Sequence, residues 1–398
     1  MARVVIYAPI VASSSAPLST PLSSVSPPPQ THFLRRHGVK LVMSALIGLG
    51  LVMMMQKAGM SIIPPRSSFD QVKWWTLPAY AVTLVAMNTF RATRWRYLLR
   101  AVVDVPVPRL IVVSWVGFMA ILLMPFRIGE FVRPYMLKDG GKANGPDGKP
   151  RDISVVMATG SVVAERVTDG LYVSIVLAIA LLAVPTLHPL PMKVVGLDVP
   201  VQRVREAGFG MLGLFTFAFT VIGVYYFARD WAHRTTLAIW GLVSRPLGEK
   251  LAGMAEKVAD GLHVIGRPRD AIPFLAETSA YWFINVLGMW LLAWGCGIVH
   301  ADGTGITFGE TCALMGMLTV TILVPGPPGL LGVFQLGIYA GMTMYFPTSV
   351  VTGPGAAYVF LLYMSQCVWT VLAGFGCLLF QRGALRTLQK AEGDVEKE

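Results

Sequence analysis

Apolar residues in this chain gather into runs too long for the elements of a soluble core. Six approach or exceed the roughly 20 residues a helix needs to cross a bilayer: Gly38–Met55, Trp74–Phe90, Thr168–Pro185, Ala207–Phe227, Ile272–Val299 and Gly355–Phe380. Between them lie four shorter apolar pieces, Leu110–Phe126, Ile153–Ala164, Phe308–Val324 and Leu330–Tyr345, each pair broken by Pro, Gly or charge. The pattern predicts an all-α polytopic membrane protein.

Orientation follows from Lys and Arg, which favour the cytoplasmic side of short loops. Arg91, Arg94, Arg96, Arg100 and Arg109 crowd the end of the second span. A second group, including Arg229, Arg245 and Lys257, lies between the fourth and fifth, and Arg382, Arg386 and Lys390 follow the last. Loop 127–152 is basic too. It joins them on the cytoplasmic side if Leu110–Phe126 and Ile153–Ala164 form a hairpin that dips in from the cytoplasm. The segment from Phe308 to Tyr345 then dips in from outside. Each half reads span, span, hairpin, span, with directions reversed, about 38–186 and 207–380. This predicts an inverted-topology repeat with two opposed re-entrant hairpins, an architecture common among transporters. The alternative is ten ordinary segments with an accidental symmetry. Both termini are expected in the cytoplasm of a bacterial inner membrane.

Outside the membrane domain, 35–381, the reading is simpler. Residues 1–34 contain a Ser/Pro-rich, uncharged tract, Ser13 to Pro29, which predicts disorder. Within 231–264, Leu247, Leu251, Met254, Val258 and Leu262 recur at helical spacing among charges, as in an amphipathic helix on the cytoplasmic surface. Residues 382–398 form a charged tail. Only 14% of residues are charged and 54% are hydrophobic, against about 25% charged in soluble domains. The net charge of +11 falls between and beside the apolar runs, which points to topology and anionic headgroups and not to nucleic acid. The four cysteines form no CxxC pair and the six histidines show no ligand spacing, so no metal or cofactor is expected.

Charge at membrane depth needs a partner or a cavity. Arg91 and Arg94 share a helix face at the end of the second span, beside Asn88 and Trp95. Arg127, Glu130 and Arg133 recur every third residue beside Pro125 and Gly129, which suit a hairpin bend. Glu165 and Asp169 stand one turn apart around Arg166, where like charges repel unless a cation faces them; Arg127 or Arg133 can supply it. Two readings fit these clusters: a salt-bridge network that only holds the hairpin, or a polar cavity for an anionic headgroup. In the second half the break runs through Pro325, Gly326, Gly329 and Gly332 to Gln335, a neutral polar residue in an apolar half-helix.

Four motifs in order, Arg91-x-x-Arg-Trp-x-x-Leu-Leu, Pro125-x-Arg-x-Gly-Glu-x-x-Arg133, Glu165-Arg-x-x-Asp169 and Pro325-Gly-x-x-Gly-x-x-Gly-Val-Phe-Gln335, resemble the transmembrane-region family of lysylphosphatidylglycerol synthases. That flippase-like family includes the N-terminal half of the multiple peptide resistance factor. The resemblance spans roughly 38–381 and implies a bacterial membrane protein that binds and translocates lipids. Two departures matter. The last motif usually ends in Glu and here ends in Gln335, and no aminoacyl-transferase domain follows the last span, so lysyl transfer is not expected.

The leading expectation is therefore a lipid flippase moving an anionic lipid between leaflets, with membrane lipids as partners. A membrane-embedded lipid-linked glycosyltransferase and an accessory subunit of a lipid-modifying system are the alternatives. The sequence leaves open a second copy of the chain or a lipid-synthesis partner. The loop from Lys138 to Arg151 carries Asp139 and Asp147, but its Gly-Gly-Lys lacks P-loop spacing.

Overall fold

The helices follow the apolar runs, with breaks where Pro and Gly interrupt them. The structure is a computed structural model that describes residues 43, 46, 48–100, 103–124, 129–139, 143–145, 149–197, 201–241, 244–261, 268–323 and 327–380. The expected tails 1–34 and 382–398, most of the first span's N-terminal part, and Pro125, Arg127, Pro325 and Gly326 lie outside these residues.

Residues 48–57 are helical (α1). The first half continues with α2 (Thr76–Thr93), the short α3 (Trp95–Leu99), α4 (Val107–Leu123), α5 (Val132–Asp139) and α6 (Val155–Ala183). A two-residue antiparallel pair, Ala143–Asn144 with Pro150–Arg151, closes the loop before α6. The rest comprises α7 (Val201–Phe227), α8 (Arg229–Gly241), α9 (Arg245–Gly261), α10 (Pro268–Gly295), α11 (Phe308–Ile322), α12 (Val333–Thr343), α13 (Thr348–Thr352) and α14 (Pro354–Phe380). Among the described residues, α6, α7 and Pro354–Leu379 of α14 are long and apolar enough to cross a membrane. The chain is an all-helical membrane protein.

Small residues set the packing. At Gly288 and Gly295 of α10 an added Cβ would lie 2.2 Å from Thr83 and Thr76 of α2, so the two helices approach closely. Gly316 of α11 meets Leu177 of α6 in the same way, and Gly374 of α14 meets Met119 of α4. Within the hairpins, Gly117 of α4 makes room for Arg133 of α5, and Gly337 of α12 for Thr321 of α11. Helix α11 starts on a capping box in which Thr307 and Glu310 satisfy each other's backbone amides.

Three expectations change. Ile153–Ala164 is not a separate half-helix paired with Leu110–Phe126. From Val155 it forms the opening turns of α6, a single helix of 29 residues with Ser154 as its N-cap. Nothing stops that helix at Glu165, because its charges are paired and buried and leave no reason for a break. The partner of α4 in its hairpin is α5. The expected stripe of Arg127, Glu130 and Arg133 is not one helix where it is described: Glu130 lies in a single 3₁₀ turn before α5, and Arg133 in α5, while Arg127 lies outside the described residues. Finally, the described part of the segment 231–264 is two helices, α8 and α9, packed together. Gly241 ends the first and Pro246 suits the first turn of the second.

Candidate functional site

Charged side chains from α2, α5 and α6 meet inside the helical core. Arg94, at the C-terminal end of α2, donates from Nη1 to Asp169 Oδ1 and from Nη2 to Asp169 Oδ2, both at 2.6 Å. Its Nη2 also reaches Glu165 Oε1 at 2.9 Å, and its Nη1 reaches Thr278 Oγ1 of α10 at 3.1 Å. Arg133 donates to Glu165 Oε2 at 3.0 Å. Arg166 bonds Glu165 Oε1 at 3.0 Å and stands 3.4 Å from both Asp169 Oδ2 and Glu130 Oε2. The side chains of Arg94, Arg133 and Glu165 are fully buried.

The geometry satisfies the physics of such a cluster. A lone charge at the centre of a bilayer costs about 2.5–3.5 kcal/mol on insertion scales. Here, among the described residues, three guanidiniums face three carboxylates, so their charges balance one another. Aromatic faces complete the enclosure. The Arg133 guanidinium lies 4.2 Å from the Trp95 ring centroid, and that of Arg94 lies 4.8 Å from Tyr281. Trp282 Nε1 adds a hydrogen bond to Asp169 Oδ1 at 3.3 Å, and Trp95 Nε1 bonds Ser161 Oγ at 2.9 Å.

The structure thus brings together Arg94, Glu130, Arg133, Glu165, Arg166 and Asp169. The cation facing Asp169 comes from Arg94, not from the hairpin, while Arg133 serves Glu165. Arg91 stands apart. Among the described residues it makes no ion pair, its Nε is buried without a hydrogen-bond partner, and its guanidinium sits 4.2 Å from the Phe118 ring centroid. The other basic residues nearby are held elsewhere: Arg96 pairs with Glu277 at 3.2 Å, and Arg100 with Asp270 at 3.6 Å.

Gln335 is part of a turn. Its Oε1 accepts from the Gly332 amide at 2.7 Å and caps α12. Gly329 and Gly332 have φ of +71° and +86°, where a side chain is strained, which accounts for glycine at both. Gly129 lies so close to the Ala120–Ile121 backbone that a Cβ would come within 2.3 Å.

Arg91 opens into a cavity of about 140 Å³ that joins the two halves of the chain. Leu84, Asn88 and Phe118 wall it from α2 and α4; Leu330 and Phe334 wall it from the second hairpin; Tyr363 and Gln366 wall it from α14. Tyr363 holds the turn in place by donating to the Gly329 carbonyl at 2.9 Å. The sequence pointed to Arg91 and Asn88 here but not to Gln366 or to Thr278 and Trp282 of the network. The weak signal was polar and aromatic residues, Glu277 to Trp282, inside an otherwise apolar span.

A buried charge network beside a cavity between apolar helices defines a membrane protein with a polar interior. Comparison with known families identifies it further: the family described as lysylphosphatidylglycerol synthase TM region matches residues 39–374. The chain belongs to that family, whose membrane and lipid-related character it shares. Searches of curated proteins and of solved structures found no significant match.

Proposed function

We propose that this chain binds lipids and passes them between the leaflets of a bacterial inner membrane, acting as a transporter and not as an enzyme. The observation that carries the reading is the cavity between the halves, apolar on most of its wall and cationic at Arg91. Acyl chains suit such walls, and a negative headgroup suits the guanidinium.

The packing supports an inverted repeat. Helix α2 pairs with α10, α4 packs on α14 as α11 packs on α6, and α4 joins α2 as α11 joins α10. Helices α4 and α11 have 17 and 15 residues. At 1.5 Å per residue they span roughly 23–26 Å, short of the roughly 30 Å of hydrocarbon, as re-entrant arms would be. Asp169 is the central residue of α6, so a centred α6 sets the network near mid-depth, where substrate sites of repeat transporters lie. The basic loops favour a topology with both termini in the cytoplasm.

Reconstitution tests the reading. Proteoliposomes containing only this protein are expected to move a headgroup-labelled anionic phospholipid between leaflets faster than empty vesicles. A well-folded sample that moves no lipid of any headgroup class rejects it.

A further inference from the structure

We infer that the exposed face of the α8–α9 pair is a membrane-binding surface, and that it takes the anionic phospholipids of the leaflet in which α7 ends. The inference does not depend on whether the chain moves lipid.

The pair is packed inside out for a hairpin in water. Helix α9 turns its small residues inward. Gly248 is buried against α8, where an added Cβ would meet the Gly241 amide and Leu237 at 3.4 Å. Ala252 is fully buried, and Ala255 packs against Ala164 of α6, Ile222 and Tyr225 of α7 and Ala232 of α8. The bulky residues point the other way. Leu247 and Met254 stand at i and i+7 with Lys250 between them, and all three are exposed. A helix that rests on a protein core in water turns its large apolar side chains to that core. A helix that carries them outward needs an apolar phase to receive them.

Continuity with the span names that phase. Helix α7 is long and apolar enough to cross a membrane, and only Ala228 separates it from α8. Backbone bonds run through the junction: the Ala228 amide donates to the Val224 carbonyl at 2.8 Å, and the Ala232 amide to the Ala228 carbonyl at 2.9 Å. Phe227 and Trp231, one turn apart across it, are 86% and 60% exposed. That is the depth at which a span leaves hydrocarbon and indole rings gather. The Tyr225 hydroxyl bonds Thr236 Oγ1 at 2.5 Å. In a straight helix these two residues would lie about 16 Å apart along the axis. Helix α8 is therefore bent over the end of the span and does not project straight from it. Charge gives the lipid class. Residues 229–269 carry seven Lys and Arg against four Asp and Glu, an excess whose sign suits anionic headgroups. The Lys250 stem can lie along Leu247 and Met254 while its ammonium reaches phosphate. Indole, Leu, Met and basic residues together are the composition of helices that lie in the interface.

Photo-crosslinking of the full chain in vesicles tests this. The vesicles are phosphatidylcholine alone, or phosphatidylcholine mixed with phosphatidylglycerol. Both leaflets of each have one composition, so the side on which α7 ends does not affect the result. A benzophenone amino acid replaces Met254 in one variant and Leu247 in a second. In a third it replaces Glu249, which is exposed on another side of α9. Adducts are identified by mass spectrometry. The probes at 254 and 247 are expected to capture phospholipid several-fold more than the probe at 249. Their yield should be several-fold higher with phosphatidylglycerol present, and high salt should remove that difference. Lys250→Gln should lower the yield in phosphatidylglycerol vesicles roughly fivefold, the worth of one basic residue at such a surface. Either probe decides the matter if the other variant does not fold. Capture of a second copy, or of segment 1–42 or 381–398 of the same chain, overturns the inference. So does a yield unaffected by phosphatidylglycerol, or no lipid adduct at either position. Lipid capture in a preparation that moves no lipid upholds the surface while the transport reading fails.

Discussion

Arg94 grips Asp169 with both terminal nitrogens, two hydrogen bonds of 2.6 Å that tie the end of α2 to the middle of α6. Both groups are buried, so the pair behaves as a joint in the core and not as a surface contact. A pair buried in this way adds little net stability over an apolar substitute, but removing one partner strands the other. The same arginine serves Glu165 and Thr278, so α10 depends on it as well.

Arg94→Lys tests the joint. Lysine is a point charge and cannot form the two parallel bonds. The charge is kept, so we predict a loss of about 1–3 kcal/mol from hydrogen bonds left unmade, seen as a lower melting temperature and reduced folded yield in detergent. Arg91→Gln, which breaks no ion pair, serves as the control and should melt near the parent. Equal melting of Arg94→Lys and the parent would mean that the pair does not hold α2 to α6.

The turn before α12 is a second sharp test. Gly332 has a φ of +86°, and a Cβ there would sit 3.0 Å from Leu51 Cβ. Gly332→Ala should cost about 1–3 kcal/mol from backbone strain. Gln335→Leu leaves the Gly332 amide without its acceptor and should cost about 1–3 kcal/mol. Both act on one turn, so the double variant should lose less than the sum of the two single losses. Strict additivity in thermal unfolding would argue against a shared turn.

Much of this was legible in the chain, and the remainder was not for definite reasons. Apolar runs marked the long helices because burial in hydrocarbon leaves a continuous signal. Prolines and glycines marked the second hairpin because φ above zero at Gly329 and Gly332 is close to a glycine signature. The join of Ile153–Ala164 to α6 was hidden, since Glu165 and Asp169 look like an interruption until their cations are seen. Arg94, which serves both, lies 71 and 75 positions away, and spacing along a chain carries no signal of such a pair; Arg133, 32 positions from Glu165, was within reach of the sequence. Arg91 and Arg94 looked equivalent for the same reason. Only the fold gives one to the network and the other to the cavity. The role of Gln335 became plain once Gly332 was its neighbour: the cap needs an oxygen acceptor, which an amide supplies without charge.

The basic loops predict a sidedness that labelling can test. A cysteine replacing Asp147 should react with an impermeant maleimide only from the cytoplasmic face. One replacing Ala301, in an exposed turn, should react only from the opposite face. Reaction of both from one side of oriented vesicles would break the inverted repeat and, with it, the re-entrant reading of α4 and α11.

Glu165 carries the last prediction. Its Oε1 accepts from Arg94 and Arg166 at 2.9 and 3.0 Å, and its Oε2 from Arg133 at 3.0 Å. Glu165→Gln keeps the shape and one carbonyl oxygen but removes a charge, leaving three guanidiniums against two carboxylates. Arg133 is the most affected. Its Nε and Nη2 already lack hydrogen-bond partners among the described residues, and Glu165 is its one ion pair there. The uncancelled charge lies behind the cavity that Arg91 already makes positive. An anionic lipid should then bind more tightly and leave more slowly, because the added positive charge attracts it across a low-dielectric space. We predict higher affinity for short-chain phosphatidylglycerol together with slower lipid movement. Both are to be measured on one preparation whose folding has been checked by its melting curve. Affinity and transport both unchanged would leave Glu165 a packing residue and separate the network from the transport cycle.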